Sequence, residues 1–138
     1  MGINGIDHWV IVAADPERTL AFYAALGLSI AWEARPNRPG RGMPTIRVGT
    51  DQKINVHGPD WPGRPGYLGA RRPAAGAADF CLEWEGTVEQ ILNLLARNGI
   101  PVEAGPGPRT CARGLSTSVY VRDPDENLVE LTVYERTT

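Results

Sequence analysis

Lysine is almost missing from this chain: Lys53 is the only one in 138 residues, and every other cationic side chain is an arginine. The net charge is -2. The basic excess that marks a nucleic-acid surface is therefore absent, and no nucleic-acid partner is expected. No run approaches the ~20 apolar residues that cross a bilayer, so no membrane partner is expected either. There are two cysteines, Cys81 and Cys111, without CxxC spacing, and the first residues show no charged-then-apolar leader. The expectation is a cytoplasmic protein with reduced thiols. Histidine is equally scarce, His8 and His57 alone, and no HExxH pattern supplies a local metal motif. Arginines gather at Arg35, Arg38, Arg41 and Arg47 and again at Arg64, Arg71 and Arg72, and read as solvated loop surface.

What the chain does have is an internal repeat. Asp7 to Val12 reads as a strand, followed by a helical stripe of Leu20, Phe22, Tyr23 and Leu26 that stops at Gly27. Phe80, Leu82 and Trp84 alternate as a second strand, and Val88, Ile91, Leu92 and Leu95 form a second stripe ending at Gly99. Apolar continuations follow each glycine, Leu28 to Trp32 and Ile100 to Val102. Each copy closes on a β-rich run, 52–57 in the first and 127–134 in the second. Neither half is large enough to bury an adequate core alone, which predicts two βαβββ modules in one α+β domain. Module one spans about 4–58, a Gly/Pro/Ala-rich linker about 59–77, and module two about 78–135. Two further segments, Pro36 to Pro44 and Gly105 to Gly114, read as irregular loops able to rim a cleft. Trp61 and Tyr67 are large groups for a spacer; they suggest packing over a module or a partner, and hence a homodimer.

Strand parity selects the polar groups that share a face. If Ile54 and Val56 face the helix, Asn55 and His57 face away from it. Val129, Leu131 and Val133 likewise leave Glu130, Thr132 and Tyr134 on the opposite side, and Phe80, Leu82 and Trp84 leave Asp79, Cys81 and Glu83. Cys81 reads most simply as a small core residue. His8 joins this set if it is the counterpart of Asp79; an ungapped match pairs it with Phe80 instead. His8, His57, Asp79 and Glu130 together offer two imidazoles and carboxylates, a set suited to Fe, Mn, Ni or Zn with positions left open for substrate oxygens.

The runs Ile6 to Val12, Thr19 to Tyr23, Leu26 to Leu28 and Val119 to Leu131 resemble the vicinal-oxygen-chelate superfamily, which includes glyoxalase I, bleomycin-resistance proteins and extradiol dioxygenases. Residues 52–57, Ala78 to Cys81 and 105–110 are most similar to its glyoxalase domain-containing protein 5-like branch. In the Asp123-Pro124-Asp125-Glu126-Asn127 turn, Glu126 stands where the family usually has glycine. The resemblance implies curved mixed sheets around a central cleft, with a divalent metal held by residues of the first and last strands of each module. His8 and Glu130 fall on such positions. Asn55, or His57 two residues on, takes the third, and Asp79 stands where many relatives have histidine.

Two functions are compatible with these residues. One is a metal-dependent lyase, isomerase or dioxygenase acting on a small molecule with neighbouring oxygens, in which Glu130 also moves a proton and Arg109, Tyr120 and Trp32 contact substrate. The dioxygenase variant is disfavoured, because both histidines are spent as ligands. The other is a metal-free protein of the bleomycin-resistance type that sequesters an aromatic metabolite or antibiotic.

Overall fold

The computed structural model describes residues 1–36 and 38–135. A first unit, Met1–Ala77, holds β1 (His8–Val12), α1 (Pro16–Ala25), β2 (Ser29–Arg35), β3 (Arg38–Val48) and β4 (Gln52–His57). A second unit, from Ala78 onward, holds β5 (Asp79–Glu83), α2 (Val88–Arg97), β6 (Ala104–Cys111), β7 (Gly114–Arg122) and β8 (Leu128–Tyr134). Each carries one mixed four-stranded sheet, ordered β1-β4-β3-β2 and β5-β8-β7-β6. The architecture is thus α+β, two βαβββ modules. Among the described residues no helix is long and apolar enough to cross a membrane.

Local chemistry explains the helices. Asp15 caps α1, its carboxylate accepting from the Arg18 N–H at 3.3 Å, and Pro16 opens the first turn where a missing N–H costs nothing. Thr87 and Gln90 form a reciprocal capping box at α2. Both helices close on a glycine with positive φ, Gly27 (98°) and Gly99 (64°). The next N–H in each case folds back onto the helix, Leu28 to Tyr23 (3.1 Å) and Ile100 to Leu95 (2.9 Å). Ile100 is thereby consumed in ending α2. The strand expected over Ile100 to Val102 does not form, and β6 begins at Ala104.

The two segments expected to be irregular are strands. Residues 38–44 lie in β3 and 104–111 in β6; Asn37, inside the first expected loop, lies outside the described residues. Proline lacks the ladder N–H, so a strand keeps it only where one side needs no partner. That condition is met twice. The β3 pairing to β4 starts at Thr45, which leaves Pro39 and Pro44 without a β4 partner, Pro44 being paired to β2 alone, while β6, with Pro106 and Pro108, is an edge strand. Gly105 sits at the irregularity in β6 (φ 86°), where a Cβ would approach the Ser118 carbonyl to 2.5 Å.

Each core lies on one face of its sheet. In module one Trp9, Ile54, Ile46 and Ile30 form one row across the strands, and Ile11 pairs with Val56; Leu20 and Tyr23 of α1 are buried with them. In module two Phe80, Val129 and Val121 form one row and Leu82, Leu131 and Val119 the next, with Ile91 and Leu95 of α2 buried beside them. The opposite faces carry the polar residues.

Candidate functional site

Two backbone hydrogen bonds fix how the modules correspond. The Ala13 N–H donates to the His57 carbonyl (2.9 Å), and the Trp84 N–H donates to the Thr132 carbonyl (2.8 Å). The parallel ladders begin at His8 opposite Lys53 and at Asp79 opposite Leu128. His8 is therefore the counterpart of Asp79, Asn55 of Glu130, and His57 of Thr132. The pairing of His8 with Phe80 is ruled out.

This register separates the two histidines. His8 pairs with Lys53, and His57 pairs with Val12 four residues further along. At about 3.3 Å per residue they stand about 13 Å apart on one sheet, beyond the reach of a single ion. The expected pairing of His8 with His57 is not what module one brings together. His8 is exposed, its Nδ1 2.6 Å from the Asp7 carboxylate, and that contact holds Asp7 below its ordinary carboxylate value. His57 is buried: Trp61 stacks on it (centroids 4.3 Å, planes 21° apart) and Tyr67 meets it edge-on at 6.2 Å. The Arg35 and Arg64 guanidiniums lie over the Trp61 ring, 5.5 and 4.8 Å from its centroid. Burial first, then these two guanidiniums, lower the His57 pKa, so the ring is kept neutral. Trp61 and Tyr67, expected to seek a neighbour, are engaged within module one.

Between the histidines lies Asn55. It is buried, and its Oδ1 accepts no hydrogen bond among the described residues. An orphaned buried amide oxygen is costly, and natural folds rarely leave one without a purpose. Beside it, Glu33 binds Lys53 at 2.7 Å and Arg47 at 3.3 Å; the Lys53 hydrogen bond holds Glu33 below the usual carboxylate range.

In module two, Glu130 accepts from the Ser118 hydroxyl at 2.6 Å, and Cys111 Sγ approaches the same oxygen at 3.6 Å. Ser118, Thr132 and Ser116 are buried and linked by 2.7 Å contacts, and Ser116 donates to Cys111 Sγ at 3.0 Å. Cys81 pairs with Glu130 across the parallel ladder. The residue as a whole is exposed, and its thiol Sγ lies within 4.8 Å of the ligand atoms of Glu130 and Cys111. Burial, then Glu130, then Cys111 push that thiol up to about 12. The reading of Cys81 as a core residue is corrected: Phe80 and Leu82 take the core face, and Cys81 takes the face of Glu130. Asp79, one row from Glu130, is exposed.

The expected substrate contacts divide. Arg109 and Tyr120 belong together, the guanidinium donating to the phenol oxygen at 2.9 Å, and Tyr120 pairs with Glu130 across β7 and β8. Burial raises the Tyr120 pKa, with Glu130 adding and Arg109 opposing, so it stays a protonated donor. Trp32 does not join them. It follows Ile30 by two residues on the helix-bearing face of its sheet, under the Arg41 guanidinium (3.8 Å to the ring), and Arg41 is ion-paired to Glu17 of α1. Arg113 is held by Glu83 and lies 4.1 Å from the Tyr134 ring centroid.

Sequence reasoning missed Ser118 and Cys111 beside Glu130. Parity placed Cys81 correctly, but nothing in the spacing showed that Cys111, on the far edge strand, reaches the same carboxylate.

The family model described as the Glyoxalase/Bleomycin resistance protein/Dioxygenase superfamily matches residues 5–131. The chain is 35% identical over 135 residues to the glyoxalase domain-containing protein RDO1 of Mycosarcoma maydis, covering 98% of this chain and 71% of that one. It is 36% identical over 135 residues to the virulence protein STM3117 of Salmonella typhimurium, covering 97% of this chain and 87% of the relative. The crystal structure of STM3117 superimposes with a TM-score of 0.85 over 98% of this chain and 100% of that one. The lactoylglutathione lyase of Agrobacterium tumefaciens has a TM-score of 0.69 at 25% identity, over 96% of this chain and 95% of that chain.

Proposed function

This chain belongs to the Glyoxalase/Bleomycin resistance protein/Dioxygenase superfamily, and on that footing we propose that it is a divalent-cation-dependent enzyme acting on a small molecule with neighbouring oxygens. The observation that carries this reading is the orphaned Oδ1 of Asn55 at the register position of Glu130. Asn55 takes the place that the sequence left open between it and His57.

The positions on the first and last strands where the resemblance expects metal ligands are held by His8 and Asn55 in the first unit and by Asp79 and Glu130 in the second. One imidazole, one amide oxygen and two carboxylates are donors dominated by oxygen, which favour Mn(II) or Fe(II) over the thiophilic metals. When bound, such an ion polarises a substrate oxygen and stabilises the negative charge that develops on it.

The chain's own groups supply the remaining chemistry. Glu130, aimed by the Ser118 hydroxyl, takes a proton from the carbon beside a substrate carbonyl and returns it to the neighbouring carbon, as an isomerase or lyase requires. Tyr120, kept protonated and steered by Arg109, donates toward the oxygen where charge accumulates. Arg109 keeps donors to spare for an anionic substrate group.

The test is the metal content of protein purified without added metal or chelator, for the parent and for Asn55→Ala, Glu130→Gln and His57→Phe. The expected result is loss in the first two and retention in the third. Equal, negligible metal in all four, with a small aromatic ligand still bound, would replace this reading by metal-free sequestration. The homodimer belongs to the same proposal and is read by sedimentation at micromolar concentration.

A further inference from the structure

The chain has two cysteines, on the two opposite edge strands of the second sheet, and the fold brings both to one carboxylate. In a flat sheet β5 and β6 would stand three strand spacings apart, about 14 Å. Instead the ligand atoms of Cys81, Cys111 and Glu130 all lie within 4.8 Å of one another, so this open sheet curls enough for side chains of both edge strands to reach Glu130. We propose that Cys81, Cys111 and Glu130 form a site for a thiophilic divalent cation, Zn2+ or Cd2+, built within module two.

The geometry is close to what such an ion needs. With Zn–S of about 2.3 Å and Zn–O of about 2.0 Å, tetrahedral ligands sit about 3.5–3.8 Å apart. Cys111 Sγ and Glu130 Oε2 are already at 3.6 Å, and the Cys81 sulfur lies within 4.8 Å of the ligand atoms of both residues. The ladder pairing of Cys81 with Glu130 fixes two of the three backbones side by side. Hydroxyls orient the ligands: Ser116 on the Cys111 sulfur and Ser118 on the Glu130 carboxylate. Two sulfurs and one oxygen select a soft cation, whereas the oxygen-dominated set proposed above selects a hard one. Glu130 belongs to both. A soft cation therefore withdraws the proton carrier and inhibits the enzyme, a consequence that rests on the function proposed above; the site itself does not.

The experiment titrates Cd2+ into metal-free, phosphine-reduced full-length protein and follows the ultraviolet thiolate-to-cadmium charge-transfer band. Saturation at one Cd2+ per chain is expected. Cys81→Ser and Cys111→Ser should each weaken binding by more than about tenfold, and the double variant should lose the band, with unchanged circular dichroism in all three. A parent titration matching that of the double variant overturns the proposal. Mn2+ binding, followed by electron paramagnetic resonance, keeps the two sites apart. If Cd2+ binds through the cysteines while Mn2+ binds nowhere, the hard-cation reading fails and the thiol site stands. If Mn2+ binds while the cysteine variants leave the Cd2+ titration unchanged, the reverse holds.

Discussion

Asn55 and Glu130 occupy the same position in their two modules, each on the last strand, on the face away from the helix, in the row next to the first residue of the module's first strand. One is a neutral amide with an orphaned oxygen, the other a carboxylate held by a serine hydroxyl. Asn55→Asp makes the pair alike. Without a divalent cation it buries a second charge beside the Lys53–Glu33 pair and should cost about 1–3 kcal/mol. Mn2+ should restore the loss, because a ligand that binds only the folded state adds to its stability. Thermal melts of the variant with and without Mn2+ check this; the same deficit in both would show that Asn55 does not face a cation.

His57 gives a pH dependence of defined sign. Its folded-state pKa lies below its ordinary 6.5 through burial and the nearby Arg35 and Arg64, so as pH falls the unfolded chain takes up the proton first. The contribution is complete above about pH 6.5 and is lost as pH falls through the folded-state value. His57→Phe keeps a ring against Trp61 and removes the titration. Urea unfolding of parent and variant between neutral pH and pH 5 should show a shallower acid loss in the variant, and parallel curves would refute the assignment.

The Cys81 thiol, pushed up to about 12, is almost wholly protonated near pH 8.5, where an ordinary cysteine is half thiolate. In metal-free protein with chelator present, iodoacetamide should modify Cys81 far more slowly than an unstructured cysteine peptide. Glu130→Gln removes the second-largest cause of the shift and should speed the reaction. Mass spectrometry of the labelled peptides reads both rates, and a Glu130→Gln rate no faster than the parent's contradicts the electrostatic account.

Glu126 adopts φ 68° in the turn before β8, the left-handed region that disfavours a Cβ. Glu126→Gly should stabilise the protein by about 0.5–1 kcal/mol, the relief of that strain being partly offset by glycine's greater freedom when unfolded. Chemical denaturation measures it. A destabilised variant would mean that the Glu126 side chain contributes more than its backbone costs.

Asn127 ties this turn to β5. Its amide donates to the buried Asp123 carboxylate at 2.8 Å, and its oxygen accepts from the Ala78 N–H at 2.8 Å. Asn127→Ala should cost about 2–3 kcal/mol, since it takes the side-chain partner from the Ala78 N–H and removes one of the donors to the Asp123 carboxylate, which keeps the Asp125 and residue-127 N–H groups. A loss below half that range in denaturant unfolding would show that water replaces the side chain.

The sequence by itself determined the modules. Period-2 and period-3.6 apolar patterns, with Gly27 and Gly99 as stops, place α1, α2 and the first and last strand of each copy, because burial of one face imposes those periods locally. Parity likewise determined that Asn55, Glu130, Cys81 and Asp79 face away from the helices. Tertiary structure decided the rest. Residues 38–44 and 104–111 look irregular because proline and glycine suppress the strand pattern, yet they form strands, since only the sheet order shows which sides need no ladder partner. The distance between His8 and His57 follows from parallel register, set by pairing between segments some 45 residues apart and invisible in either alone. The meeting of Cys111 with Glu130 and Cys81 depends on the curl of a whole sheet, a property of its strands packed together rather than of any one of them.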